Sequence, residues 1–140
     1  MSTFHCSPSD IHPRITYNDA QAAIDWLCAA IGFTKRFVVP GPDGRIEPSE
    51  LSLGTGVVMV GSPKPELGHL SHVGMTGVCQ ALNVYDDDPD DHHGIAVAAG
   101  ARVIRELRTE SYGARGYEAL DPENHGWYSC NYRAGSYWET

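Results

Sequence analysis

Seven histidines and four cysteines are the side chains of this 140-residue chain best suited to hold a metal ion or attack a substrate, and their spacing restricts both uses. Cys6, Cys28, Cys79 and Cys130 are scattered, with no CxxC pair and no zinc-ribbon spacing, so reduced thiols are expected. His92 and His93 follow the acidic run Asp86 to Asp91. Neighbours on a helix diverge by about 100 degrees and cannot easily share one ion, so this pair reads as a solvated helix start. His5, His69, His72 and His125 fall in turn or linker sequence, where loop polarity accounts for them. Only His12 lies in an alternating, strand-like segment. The chain carries no GxSxG, HExxH, P-loop or dinucleotide fingerprint, which leaves nucleophilic hydrolysis, zinc proteolysis and nucleotide chemistry without a foothold.

The elements that must position these residues come in two copies. Tyr17-Asn18-Asp19 leads through an apolar helical run to Gly32-Phe33, and Tyr85-Asp86-Asp87 leads through another to Gly100-Ala101. Asp19 to Gly32 and Asp87 to Gly100 both span thirteen residues, and β-prone segments follow at Thr34 to Val39 and Arg102 to Arg108. A duplicated unit of this length is a supersecondary module, and two such modules in one chain leave a cleft where small ligands bind.

Ile11 to Tyr17 alternates as a strand, with Ile15 and Tyr17 on one face and His12, Arg14 and Thr16 on the other. Asn18 or Asp19 caps a helix whose Ala20, Ala23, Ile24, Leu27, Cys28 and Ile31 fall at helical spacing before Gly32 stops it. A strand over Thr34 to Val39, a turn at Pro40 to Gly44 and strands around Glu50 to Leu53 and Val57 to Val60 complete a βαβββ unit. The second unit opens with a strand over Cys79 to Tyr85, whose Cys79, Ala81 and Asn83 face the cleft while Leu82 and Val84 point inward. Its helix starts in Asp86 to Asp91 and buries Ile95, Ala96 and Ala99; strands around Val103, Tyr117 and Trp127 follow. The expected organisation is one domain over 1–140, with module one at about 11–61, a linker at about 62–76 and module two at about 77–138.

Composition fits a chain able to bury a shared core: 41% of residues are hydrophobic and 20% charged. Eighteen acidic against ten basic residues give a net charge of -8, which repels nucleic acid and anionic membrane and favours a cationic small molecule. No apolar run approaches a membrane span, and Met1 to Asp10 lacks the pattern of a signal peptide, so a cytoplasmic location is expected.

Ile15 to Ala20, Ala23 to Leu27, Gly32-Phe33, Pro42-Asp43-Gly44, Ser49-Glu50-Leu51, Gly100-Ala101, Tyr112 to Arg115 and Asp121-Pro122-Glu123 together resemble the vicinal oxygen chelate superfamily. The likeness is greatest to its glyoxalase/bleomycin-resistance group with PhnB-like members, and it covers roughly residues 11 to 138. The resemblance implies an α+β fold in which two βαβββ modules form curved mixed sheets around a central cleft, in a homodimer. It does not fix the chemistry, because such folds host metal-dependent lyases, dioxygenases and metal-free drug binders alike.

Catalytic members take one metal ligand from the first strand of each module and one from a later strand of each. By strand position the resemblance places His12, Glu50, Cys79 and Tyr128 there, with Gln80 reached by a one-residue slip. His12 and Glu50 fit the pattern, whereas Cys79 replaces a histidine and Tyr128 a glutamate. A phenol brings neither the charge nor the basicity of a carboxylate. The implied function is therefore metal-free binding of a cationic or aromatic small molecule by His12, Glu50, Cys79 and Tyr128, with Arg115 and Tyr117 at the cleft mouth and no cofactor. The alternative is a glyoxalase-like lyase or dioxygenase with one Zn, Ni or Fe ion at His12 and Glu50, joined by Cys79 in a mixed zinc site. Trp127 alternates with Tyr128 and is assigned to the core, and the aromatic stretch Tyr132 to Trp138 suits a subunit interface, a pocket rim or simple packing.

Overall fold

A computed structural model describes residues 9–135. Cys6, His5 and the stretch from Ser136 to Trp138 lie outside the described residues.

Module one comprises β1 (Arg14–Thr16), α1 (Ala20–Trp26), β2 (Thr34–Pro40), β3 (Ile46–Leu53) and β4 (Gly56–Gly61). Module two comprises β5 (Ala81–Tyr85), α2 (Pro89–Ala98), β6 (Arg102–Thr109), β7 (Arg115–Leu120) and β8 (Gly126–Cys130). The strands form two four-stranded mixed sheets in matching orders, β1-β4-β3-β2 and β5-β8-β7-β6. In each sheet the first strand runs parallel to the last and the remaining pairs are antiparallel. Register shifts interrupt β2 against β3 and β6 against β7 at equivalent places, and such bulges bend the outer hairpins and curve both sheets.

The first helix has a feature that periodicity did not show. The Asp19 carboxylate caps it by accepting from the Ala22 N–H at 3.0 Å, and α1 continues into a π-helical turn over Leu27–Ile31. There Gly32 N donates five residues back to the Leu27 carbonyl, and Gly32, at φ 102°, takes the left-handed conformation that ends the helix. The cap of α2 is Asp88, whose carboxylate accepts from Asp91 N. From cap to left-handed glycine the first helix is thus one residue longer, and the π turn absorbs the surplus.

Both helices lie on the inner faces of their sheets, and these faces meet. Ile15, Tyr17, Ile24, Leu27, Leu51 and Val60 of module one share a core with Val84 and Trp127 of module two. Phe33 and Trp127 pack edge to face with ring centroids 5.6 Å apart. On the other side of the helix layer, Ala30 of the π turn packs with Ala96, Tyr117 and Ala119. Trp127 is therefore a core residue, as its alternation with Tyr128 requires.

Two expectations for α2 are overturned. Ile95 is exposed, whereas His92 is buried. His92 Nε2 donates to the Ile31 carbonyl at 2.8 Å, which leaves Nδ1 to accept from the Tyr117 hydroxyl at 2.6 Å. The face of α2 that meets module one runs through Pro89, His92 and Ala96, so a histidine with both nitrogens satisfied is buried in place of the isoleucine.

Candidate functional site

Strand register decides which side chains stand together on the outer face of each sheet. In sheet one, Arg14, Met59, Glu50 and Phe37 form a row across β1, β4, β3 and β2. In sheet two the matching row is Asn83, Tyr128, Glu118 and Arg105 across β5, β8, β7 and β6. Glu50 is therefore the counterpart of Glu118, and Tyr128 is the counterpart of Met59. A ligand set drawn from equivalent places in the two modules pairs Tyr128 with Met59 and not with Glu50, which stands one strand away.

The remaining sequence-derived candidates are dispersed. His12 precedes β1, is exposed, and its Nε2 lies 2.6 Å from the Ser9 carbonyl. Cys79 precedes β5 and is exposed. Arg115 makes a surface ion pair with Asp90, its Nη2 lying 2.9 Å from Oδ1, and Tyr117 is buried on the helix side under His92. Neither reaches a cleft mouth, because Arg115 is held across to the start of α2 and Tyr117 has the opposite facing to Gly116 and Glu118.

Tyr128 is buried on the outer face of sheet two. Burial, followed by the neighbouring Tyr112 and Glu110, pushes its phenol up to about 12, so it remains protonated at neutral pH. Glu110 also accepts from Arg105 and Arg108, whose guanidinium nitrogens lie 2.9 and 3.0 Å from it.

Two hollows stand out among the described residues. The larger, about 340 Å³, lies between the modules, where the β3–β4 turn approaches β5. Phe33, Leu53, Leu82 and Trp127 supply apolar wall, and Asn83, Tyr85 and Arg133 supply polar groups. The Arg133 guanidinium carbon sits 3.9 Å from the centre of the Tyr85 ring, a cation–π contact made within the chain. The smaller hollow, about 150 Å³, lies on the outer face of sheet one beneath the segment that follows β4. Neither is lined by an acidic side chain, so the cationic ligand expected from net charge finds no local carboxylate.

The turn after β7 joins the modules through buried carboxylates. Asp121 Oδ2 accepts from Tyr17 OH at 2.5 Å and from Trp127 Nε1 at 3.0 Å, while Oδ1 accepts from the backbone N–H groups of Glu123 and His125. Glu123 accepts from Asn18 N, Asp19 N and the Ser71 hydroxyl. Beside them His125 is fully buried against His72 and Trp127, with neither ring nitrogen hydrogen-bonded among the described residues. Loop polarity had placed this histidine at the surface.

Burial, reinforced by His72, holds the His125 pKa below its ordinary value, against the opposing pull of Asp121. The unfolded chain then takes up the proton first as pH falls below about 6.5, so stability drops through that window by at most about 1.4 kcal/mol per pH unit. His125→Leu is expected to flatten the fall in thermal midpoint between pH 7 and 5.5 relative to the natural chain; equal slopes would remove His125 as its source.

The sequence model of the Glyoxalase/Bleomycin resistance protein/Dioxygenase superfamily matches residues 10–128. The chain belongs to this superfamily. Curated relatives within reach are the uncharacterized protein Mb0911c of Mycobacterium bovis, 27% identical over 120 residues that cover 84% of this chain and 79% of the relative, and Rv0887c of Mycobacterium tuberculosis, 27% identical with 84% and 71% covered. Among solved structures, TioX from Micromonospora sp. ML1 superposes with a TM-score of 0.69 at 28% identity, covering 89% of this chain and 99% of TioX. A glyoxalase-related enzyme from Fulvimarina pelagi has the same fold, with a TM-score of 0.67 at 16% identity over 87% of this chain and 86% of its own.

The superfamily includes metal-dependent members, so the donor set must be judged on its chemistry. Register makes Met59 the counterpart of Tyr128, and Ala81, not Cys79, the counterpart of His12, so the equivalent positions of the two modules offer one imidazole, one thioether and one protonated phenol, with no carboxylate. Among the described residues no three His, Cys, Asp or Glu side chains converge as a cation site. These donors do not fit a hard or borderline divalent ion that needs anionic or imidazole ligands in at least three places.

Proposed function

We propose that this chain is a small-molecule-binding member of the superfamily that captures a flat, ring-bearing ligand without a metal ion, in the manner of bleomycin-resistance proteins. The observation that carries this reading is the 340 Å³ hollow between the modules, where apolar and aromatic walls are joined by a few polar groups at one end. That is the usual composition of a small-ligand site. Asn83 offers a donor and an acceptor, and Arg133 favours a ligand carrying an acceptor or anionic group over a cationic one. A homodimer belongs to the same proposal, supported by the exposed Leu70, Val73, Met75 and Val78 between β4 and β5. Among the described residues no helix is long and apolar enough to cross a membrane, and a cytoplasmic site of action is proposed with the rest.

Titration of chelator-treated protein with bicyclic heteroaromatic compounds, followed by intrinsic fluorescence, tests the reading. Saturable binding is expected, unchanged by added EDTA and weakened at least roughly tenfold in Asn83→Glu, which places bulk and a negative charge in a hollow whose Arg133 favours acceptor or anionic groups. One equivalent of zinc, nickel or iron retained through chelator-free purification and lost in His12→Ala would instead make the chain a metalloenzyme of the glyoxalase kind.

A further inference from the structure

The smaller hollow has a character of its own. Its floor is the outer face of sheet one, where Arg14 and Thr16 of β1 stand opposite Met59 and Gly61 of β4. Its roof is the segment after β4, and that segment is firmly built. Ser62 N donates to the Ile46 carbonyl at 2.8 Å, and Ile46 N returns a bond to Ser62 Oγ at 2.8 Å. The Arg45 guanidinium donates to the Pro63 carbonyl. Lys64 and His69 then form an isolated antiparallel bridge, with N–H to carbonyl bonds in both directions at 2.9 and 3.1 Å. Directly opposed residues of an antiparallel pair project to the same side, and both line the hollow.

Arg14, Thr16, Ser62, Lys64 and His69 thus surround one small space, and none of its lining residues is acidic in a chain whose net charge is -8. Lys64 is already offset by Glu47, 3.1 Å from its ammonium nitrogen. Arg14 has no ion-pair partner among the described residues. A guanidinium with no ion-pair partner among the described residues, lining one concave site with hydroxyl and imidazole side chains, suits a tetrahedral or planar oxyanion. A space of about 150 Å³ suits a single phosphate or carboxylate group and excludes a larger ring system.

We infer that the hollow under the β4–β5 segment binds a small oxyanion, either free or as the anionic group of a larger molecule whose body extends from its mouth. Arg14 supplies the charge, and Thr16, Ser62 and His69 supply orientation. The site is separate from the hollow between the modules, and occupancy of one does not require the other.

Chemical-shift titration at pH 7 and constant ionic strength, with inorganic phosphate in one series and phenyl phosphate in another, tests the assignment. Saturable shifts confined to residues 14–16, 59–64 and 69 are expected in both series, with tighter binding of phenyl phosphate if the natural ligand is an anionic group of a larger molecule. Arg14→Gln should weaken both at least roughly tenfold, since a charge-assisted hydrogen bond contributes more than one such factor. Arg14 is exposed, so the variant should fold; its dispersed spectrum would confirm that. Shifts that sodium chloride reproduces, that fail to saturate, or that persist in Arg14→Gln would overturn the assignment.

Discussion

Asp121→Ala is expected to lower the stability of the chain by about 3–5 kcal/mol, enough to leave little folded protein at physiological temperature. The carboxylate is buried and accepts four hydrogen bonds, two from side chains and two from its own turn. Removing it strands the Tyr17 hydroxyl and the Trp127 indole N–H where no water reaches. An unsatisfied buried donor costs about 1–3 kcal/mol, so the two side-chain donors alone account for most of the loss. Burial, then the charges of Asp121 and Glu123, raise the Tyr17 phenol well above its ordinary pKa, which keeps it a donor throughout the range where the protein is handled. Tyr17→Phe should cost less, about 1–2 kcal/mol, because three of the four bonds to Asp121 survive. Urea denaturation of both variants and of their double mutant measures the difference. If Asp121→Ala shifted the midpoint no more than Tyr17→Phe, the carboxylate would not be the joint between the modules.

Gly116→Ala should be almost as damaging, by a purely steric route. A Cβ at this position would lie 2.5 Å from the Ser129 carbonyl oxygen and 2.6 Å from the Cys130 Cβ, inside the β7–β8 pair. Backbone cannot rotate away, so the two strands must separate and the sheet face carrying Tyr128 must distort. A loss of about 3 kcal/mol is expected, at the upper end of ordinary overpacking. Gly126→Ala is the control, since its Cβ would meet Ala81 Cβ no closer than 3.4 Å and should change stability by less than about 1 kcal/mol. Thermal melts showing equal losses for the two variants would mean that the strands yield more easily than their hydrogen-bonded register implies.

The repeated strand–helix pattern makes the paired sheets legible in the sequence, because a doubled period-two and period-3.6 signal admits few arrangements. The exact correspondence of the repeats did not follow. Counting from Asp87 gives two equal spans to glycine, whereas the second helix is capped by Asp88, and the odd residue of the first helix vanishes into a π turn that leaves the same apolar stripe. Only the backbone bond from Gly32 to Leu27 reveals it.

The site was less legible, for related reasons. Strand alternation placed Trp127 in the core, but it could not say that Glu50 belongs to β3 while the partner of Tyr128 belongs to β4; that needs register. Arg115 and Tyr117 share one face of β7 by alternation, but the pattern does not say which face it is, and contacts with Asp90 and His92 of α2 put both on the helix side. His92 and His125 were assigned to solvent because polar residues near turns usually are. Each is instead enclosed by the other module or the β4–β5 segment, and no local pattern encodes a neighbour so distant in the chain. The absence of acidic residues from both hollows likewise ran against the acidic composition, since net charge is a sum over a surface and a pocket samples only a few positions.

The indole of Trp127 sits among the side chains of the opposite repeat, and His92 reaches across to a carbonyl of that repeat's widened helical turn. Whatever ancestral half once stood by itself, neither could now be released from its twin without leaving greasy surface bare and a helix end untethered. Duplication has here become a commitment: the two copies must gain and lose their order as a single cooperative unit.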